Sequence, residues 1–232
     1  MLNIACRPYL KAGPGLFAYL FARGKLSNDP IFRALLEQGL LEGSSRILDL
    51  GCGQGLLTAW LNAASRLYQS GDWPPAWPAP PQTAIVRGID LKAREVRRAQ
   101  RAFGPDADIE VGDIRDASFG TADAVVLLDV LHYVPPSAQR DVLQRIRKAL
   151  PPGGILLLRV GDAGSGYRYR ISHWVDKLFM LLRGHGWITV YCRSVADWRA
   201  LLQEIGFDSE VLPMSQGTLF ANVLLSARRL ST

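Results

Sequence analysis

The stretch ILDLGCGQG, residues 47–55, joins an apolar run to three glycines at alternate positions. The apolar residues around Asp49 favour a buried strand, and Leu56–Tyr68 after the last glycine favours a helix. Glycines at such a turn let the backbone bend sharply and approach a ligand, because they have no Cβ atom. The first N–H groups of the helix are also free to bind a ligand. This stretch therefore predicts a ligand-binding turn between a strand and a helix.

Outward from this turn, strand-like and helix-like runs alternate along the chain. Strands are predicted at Arg46–Leu50, Ala84–Ile89, Asp108–Val111, Ala124–Leu128, Ile155–Val160, Ser209–Met214 and Ala221–Ala227. Helices are predicted at Leu56–Tyr68, Lys92–Phe103, Ser137–Leu150 and Ser194–Glu204, and Ser194 with Asp197 resembles a capping box at the start of the last one. The proline-rich stretch Gly71–Gln82 is predicted as a surface loop. The alternation is typical of an α/β fold, with a doubly wound parallel sheet between helices.

Two regions lie outside this alternation. Residues 1–43 are predicted to form an N-terminal helical cap, with a short apolar helix at Gly15–Phe21 and a second helix that is capped just before Pro30 and extends up to Gly43. Residues 44–232 form the main domain, in which 161–193 is a lid-like insertion after the fifth strand. The apolar face of the insertion either packs on the domain as core or closes over a ligand.

The composition is that of one well-buried globular domain, with 232 residues of which 48% are hydrophobic. The three cysteines, Cys6, Cys52 and Cys192, form no CxxC pair, which predicts reduced thiols, a cytoplasmic location and no metal site. The first residues do not resemble a signal peptide, and no apolar run reaches the roughly 18 residues of a spanning helix. A soluble protein is therefore expected, with peripheral contact to a membrane surface left open.

The net charge of +6 is compatible with binding to nucleic acid or anionic lipid. Arg94, Arg97, Arg98 and Arg101 recur at helical spacing, which predicts one basic helix face. A solvated surface is one interpretation of this face. The alternative is a surface that contacts the phosphates of RNA.

Spacing and charge at the turn discriminate between cofactors. The dinucleotide pattern G-x-G-x-x-G would place its third glycine at position 56, where this chain has Leu56. The carboxylate of Asp49 favours a ligand with an ammonium and a sulfonium group, and would repel a pyrophosphate. Asp90 ends the second strand and can accept hydrogen bonds from ribose hydroxyls, while Asp113 follows the third strand at the same edge.

Five segments in order resemble the motifs of class I S-adenosylmethionine-dependent methyltransferases, over roughly residues 44–229. These segments are ILDLGCGQG, VRGIDLK, GDIRD, DAVVLLDVLHYVP and LPPGGILLLR. The resemblance implies a methyltransferase with S-adenosylmethionine as its cofactor. It also implies a Rossmann-like sheet of seven strands, mostly parallel, in which the last strand is antiparallel.

The resemblance also assigns cofactor-binding residues. It places Asp49, Gly51, Cys52 and Gly53 at the methionine end, although Cys52 is also explained as a small buried filler. Further cofactor contacts are Asp90 at the ribose, Leu91 directly after it, Asp113 with Ile114 at the adenine, and Asp129 after the fourth strand. Asp113 is alternatively a residue that only caps a turn.

The end of the fourth strand carries the candidate catalytic residues. His132 titrates near neutrality and is the candidate general base for a hydroxyl acceptor. The alternatives are that Asp129 acts as the base, or that His132 only orients a loop.

The expected acceptor is a small apolar or aromatic molecule, a secondary metabolite or a lipid-like compound, because the variable elements are rich in Phe, Tyr, Trp and Leu. No Asn/Asp-Pro-Pro-Tyr/Phe motif follows the fourth strand, so nucleic acid is not the expected partner. The segment RPYLKAGPGLFAYLFARGKL additionally resembles methyltransferases associated with bacterial aryl polyene pigment synthesis. Two alternatives remain: an RNA methyltransferase that uses the basic helix face, and a non-catalytic binding protein with the same fold. The oligomeric state stays open.

Overall fold

The computed structural model describes residues 1–11, 15–81, 85–161, 190–214 and 222–231. The α-helices of these residues are α1 (Leu2–Cys6), α2 (Gly15–Asn28), α3 (Pro30–Glu37), α4 (Leu56–Gln69), α5 (Ala93–Phe103), α6 (Pro136–Ala149) and α7 (Val195–Ile205). The strands are β1 (Arg46–Leu50), β2 (Ile85–Asp90), β3 (Ile109–Val111), β4 (Ala124–Leu128), β5 (Ile155–Gly161), β6 (Phe207–Pro213) and β7 (Asn222–Arg229). Two short 3₁₀ helices span Arg7–Lys11 and Leu131–Tyr133.

The strands form one sheet in the order β3-β2-β1-β4-β5-β7-β6. By its contacts the chain divides into two compact units, Met1–Val126 and Leu127–Thr232. In the first unit β1 pairs in parallel with β2 and β4, and β2 pairs in parallel with β3. In the second unit β7 pairs antiparallel with β5 and β6. The predicted Rossmann-like sheet of seven strands, mostly parallel and flanked by helices, is confirmed.

The central strands are buried because their sequences are almost wholly apolar. Every residue of β1 after Arg46 is buried, as are the first four residues of β4. Such continuous apolar runs are typical of parallel strands that are covered on both faces. Pairing in parallel register brings the ends of β2 and β3 together, with Asp90 opposite Val111. The residues that follow these strands therefore share one edge of the sheet.

The N-terminal helices differ in extent from the prediction. Helix α1 and the following 3₁₀ helix precede the first helix that the sequence indicates, and α2 continues to Asn28. Helix α3 begins as predicted, with the Asp29 carboxylate accepting a hydrogen bond from the Ile31 N–H at 3.2 Å. It ends at Glu37, short of the predicted Gly43, because the chain turns at Gly39 with a φ of 62°.

Two local predictions from the sequence are also met. The stretch 71–81 is free of helix and strand, and its tryptophans Trp73 and Trp77 pack edge to face, with ring centroids 5.6 Å apart. The predicted capping box at the start of α7 is present, with the Ser194 hydroxyl and the Asp197 carboxylate each bonded to the other's backbone N–H. The lid-like insertion falls mostly on residues 162–189, which lie outside the described residues. Among the described helices, none is both long and apolar enough to cross a membrane.

Candidate functional site

The glycine-rich turn between β1 and α4 is held by backbone hydrogen bonds to the neighbouring strand. Gly51, Gly53 and Gly55 have φ values of 80°, 55° and 78°, in the left-handed region that glycine tolerates. The Gly51 N–H donates to the Ile89 carbonyl at 2.7 Å, which fixes the turn against the end of β2. A Cβ atom placed on Gly53 would meet nothing within 4 Å. The turn therefore has open space at Gly53, where a ligand can approach the backbone.

Asp90, at the end of β2, is bonded to the same turn. Its Oδ2 accepts a hydrogen bond from the Gly53 N–H at 2.8 Å, and its Oδ1 accepts one from the Lys92 N–H at 2.7 Å. Each carboxylate oxygen can accept a second hydrogen bond. The side chain thus holds the turn in shape and retains acceptor capacity for a ligand.

Asp49 in β1 is a buried polar group of the site. Its side chain is buried, with only 5% of the residue exposed. In the described part of the chain no donor or cation pairs with its carboxylate, whereas a buried charge ordinarily has such a partner. Burial, and secondarily the nearby Asp90 carboxylate, raise the pKa of Asp49 to about 7. A cationic ligand group would supply the missing partner.

Cys52 has its side chain in the core. It packs with Val96, Ala99 and Ile109, and a Cβ atom on Gly88 would lie 2.8 Å from its Sγ. Burial raises the pKa of the Cys52 thiol well above its usual range. The thiol thus fills space between the turn and β2, and it donates a weak hydrogen bond to the Gly53 carbonyl at 3.8 Å.

The residues after β2 and β3 differ in how accessible they are to a ligand. The Asp113 carboxylate accepts hydrogen bonds from the Arg115 side chain and from the Arg115 N–H, and the guanidinium lowers the pKa of Asp113. Ile114 is buried, whereas Leu91 exposes 66% of its surface directly after Asp90. An exposed leucine next to an acidic strand end is suited to cover a flat, partly apolar ligand.

In the second unit Asp129 and Arg159 form an ion pair. Asp129 follows β4 with a φ of 58°, a conformation that is strained for a residue with a Cβ atom. The Arg159 guanidinium donates two hydrogen bonds to its carboxylate, one from Nε at 2.9 Å and one from Nη2. Because Arg159 is only 2% exposed, this pair compensates a fully buried cation and holds the turn after β4.

His132 lies in the 3₁₀ helix that follows, and it is buried. Its ring packs against the Tyr133 ring, with centroids 4.1 Å apart. Burial lowers the pKa of His132, and Asp129 opposes this effect while Arg159 adds to it. The imidazole is therefore neutral at pH 7, the state required to accept a proton.

Gln139 is a buried residue that the sequence interpretation did not single out. Its Nε2 donates to the carbonyls of Val134 and Tyr191, at 3.0 Å and 3.3 Å, and its Oε1 accepts from Arg193 Nε at 2.7 Å. The Tyr191 N–H in turn donates to the His132 carbonyl at 2.7 Å. Gln139 therefore ties the residues after the 162–189 segment to the loop that carries His132. Its position on the apolar stripe of α6 was the available signal, since a buried glutamine needs partners.

The basic helix face differs from the prediction in one residue. Arg98 is buried, with its guanidinium bonded to Glu95 at 2.7 Å and placed 5.0 Å from the centroid of the Phe17 ring. Arg94, Arg97 and Arg101 are exposed as expected. Among the described residues, no cluster of three His, Cys, Asp or Glu side chains is arranged to hold a metal ion.

Comparison with known proteins places this site in a family. Residues 21–210 match the model of the methyltransferase domain family. The carboxy-S-adenosyl-L-methionine synthase of Chromohalobacter salexigens is 34% identical over 129 residues, which are 53% of this chain and 43% of the synthase. The demethylspheroidene O-methyltransferase of Rhodobacter capsulatus is 26% identical over 189 residues, which are 81% of this chain and 42% of that protein. The chain therefore spans less than half the length of either relative that it matches.

Solved structures show the same fold. The magnesium protoporphyrin IX methyltransferase of Synechocystis, crystallised with bound SAH, superposes with a TM-score of 0.59 at 21% identity. The superposition covers 97% of this chain and 93% of that one. The family match confirms the predicted methyltransferase domain. The chain belongs to the methyltransferase domain family, and its fold is that of the class I S-adenosylmethionine-dependent methyltransferases.

Proposed function

We propose that this protein transfers the methyl group of S-adenosylmethionine to an oxygen of a small apolar or aromatic acceptor. The observation that carries the proposal is Asp49, a buried carboxylate to which the described residues offer no cation. The cationic methionine end of the cofactor supplies such a partner. The open side of Gly53 gives that group access to the turn.

The remaining contacts follow from the edge of the sheet. The spare acceptor capacity of Asp90 suits the two ribose hydroxyls. Leu91 and Ile114 are apolar residues beside the strand ends and suit the adenine ring. Asp113 contributes mainly through its turn, because its carboxylate is bonded to Arg115. Cys52 contributes through its backbone.

His132 is proposed as the general base. The bound cofactor supplies an activated methyl group on a positively charged sulfur. The acceptor oxygen forms a bond to the methyl carbon as the carbon–sulfur bond breaks, and the sulfur keeps the electron pair. The acceptor proton passes to the neutral His132 imidazole, a contribution of roughly 10²–10⁴-fold to the rate. Asp129 is the weaker candidate, because its carboxylate oxygens are bonded to Arg159.

Two relatives support an apolar or aromatic acceptor. One is named for O-methylation of demethylspheroidene and matches 81% of this chain. The other is named for methylation of magnesium protoporphyrin IX and shares the fold over 97% of the chain. The resemblance to aryl polyene methyltransferases stays a prediction within this acceptor class, as does the cytoplasmic location.

The cofactor assignment is tested by calorimetric titration with S-adenosylmethionine, with NAD titrated in parallel. Micromolar binding of S-adenosylmethionine and no heat from NAD is the expected result. Binding of NAD alone, or of neither compound, would overturn the assignment and favour a non-catalytic binding protein.

The acceptor assignment is tested with methyl-labelled cofactor and a panel of phenolic and polyene acceptors. Label should pass to one class of acceptor, and His132→Ala should lower turnover roughly 100-fold or more without weakening cofactor binding. Turnover at the wild-type rate in His132→Ala would leave His132 only the role of orienting its loop.

The carboxy-S-adenosyl-L-methionine synthase match gives a second candidate function. That relative has the higher identity, 34%, although it matches only 53% of this chain. The two activities give different products from S-adenosylmethionine, a demethylated sulfide in one case and a carboxylated sulfonium in the other. Mass spectrometry of the product therefore decides between them. The RNA alternative is weaker, since Arg98 is buried away from the basic face.

A further inference from the structure

An exposed apolar patch lies on the N-terminal helices. We define it as Leu10, Leu16, Phe17 and Leu20, which expose 58%, 69%, 52% and 55% of their surface. Leu16, Phe17 and Leu20 share one face of α2, because they are spaced one, three and four residues apart. Gly15 brings Leu10 beside them, since a Cβ atom on Gly15 would lie 2.9 Å from the Leu10 carbonyl oxygen. The four exposed residues therefore lie where α2 meets the 3₁₀ helix that carries Leu10.

Positive charge borders this patch. Arg98 of α5 stacks over the Phe17 ring at 5.0 Å from its centroid. Arg94 and Arg101 are four residues before and three after Arg98, so they lie next to it on the helix surface, and both are exposed. On the other side, Arg7 is exposed and three residues before Leu10 in a 3₁₀ helix, where residues at that spacing align.

We propose that the apolar patch and the exposed arginines beside it, Arg7, Arg94 and Arg101, bind the surface of a bilayer that contains anionic lipid. Leucine and phenylalanine insert below the headgroups, and the arginines contact the lipid phosphates, as in helices that lie in a membrane interface. RNA would use the arginines and leave four large apolar side chains in water. A second copy on the same patch would place the arginines of the two copies against each other, because a two-fold interface pairs identical surfaces.

The test is flotation of the full chain with vesicles of phosphatidylcholine, with and without phosphatidylglycerol. The protein should float with the anionic vesicles, less with phosphatidylcholine alone, and less as salt is added. Arg94→Gln/Arg101→Gln should weaken binding roughly 25-fold, at about fivefold for each arginine. Leu16→Ser/Leu20→Ser should weaken it about tenfold or more. Failure of the wild-type protein to float with anionic vesicles overturns the proposal.

Two control variants remove exposed charges or exposed apolar side chains outside the patch. Arg66→Gln/Lys148→Gln removes two exposed charges from other helices, and Ile85→Ser/Leu230→Ser removes two exposed apolar side chains. Both controls should float like the wild type, and an equal loss in either overturns the proposal. The proposal is also overturned if light scattering without lipid shows a dimer that Leu16→Ser/Leu20→Ser dissociates. Binding of S-adenosylmethionine should be unchanged in all four variants, which separates this test from that of the proposed function.

Discussion

Asp49 is the buried carboxylate that we expect to bind the cationic end of the cofactor. Replacing it by asparagine keeps the shape and removes the charge, so the cationic end of the cofactor would lose its partner. Asp49→Asn should weaken binding of S-adenosylmethionine by roughly 100-fold, as for other truncated buried charge pairs. Calorimetry measures the effect, and Asp106→Asn, at an exposed position, is the matched control. Equal affinity in Asp49→Asn and the wild type would exclude the assigned contact.

Gln139 joins segments that are far apart in sequence, so replacing it should lower the stability of the protein. Gln139→Leu would leave the Val134 and Tyr191 carbonyls and the Arg193 guanidinium short of partners. The free energy of unfolding should fall by about 2–3 kcal/mol, measured by urea denaturation. Gln144→Leu, on the exposed side of the same helix, should change it little. A Gln139→Leu protein as stable as the wild type would mean that water replaces these bonds.

The N-terminal helices act on the site through the glycine-rich turn. The buried Tyr9 hydroxyl lies 3.1 Å from the carbonyl oxygens of both Gln54 and Gly55, and Gln54 Nε2 donates to the Ala18 carbonyl at 2.9 Å. The cap therefore helps to set the shape of the turn. It does so from positions more than 30 residues earlier in the chain.

Tyr9→Phe tests this connection, because it removes the hydroxyl and keeps the ring. The free energy of unfolding should fall by about 1 kcal/mol, and S-adenosylmethionine should bind a few-fold more weakly. Chemical denaturation and calorimetry measure the two effects. Tyr19→Phe on α2 is the control, and an identical response of both variants would show that the Tyr9 hydroxyl has no special connection to the turn.

The strand ends and the turn were predictable from sequence because each depends on a few adjacent residues. Asp49 and Asp90 were recognised at the ends of apolar runs, and Gly51 to Gly55 by their spacing. The connections across the fold were not predictable, because nothing local marks the partner of a distant side chain. Arg159 pairs with Asp129 across 30 residues. Arg98 was placed on a solvated face because helical spacing does not tell which edge of α5 the N-terminal helices cover.

The free energy of unfolding of the whole molecule should depend on pH through the ionisation of Asp49. Its folded pKa is about 7 against an ordinary value of 3.8, so ionisation opposes folding. This penalty is absent below pH 4, grows between pH 4 and 7, and reaches at most about 4 kcal/mol above pH 7. His132 acts in the opposite sense, because burial lowers its pKa and acid then favours unfolding.

The difference between Asp49→Asn and the wild type isolates the Asp49 contribution. The variant should unfold at the same urea concentration as the wild type near pH 4 and at a higher one at pH 8. Asp106→Asn should follow the wild type at both values. A constant difference across this range would mean that Asp49 does not titrate within it.

The unpaired Asp49 carboxylate also makes ligand capture an exchange of cations. Near neutrality the free protein holds a proton on this group part of the time, and an arriving ammonium would displace it. The proton passes to the buffer, so the heat of binding includes the heat of buffer ionisation. Titrations in phosphate and in Tris at the same pH should then differ in enthalpy while agreeing in affinity, and the difference counts the protons that leave this one site.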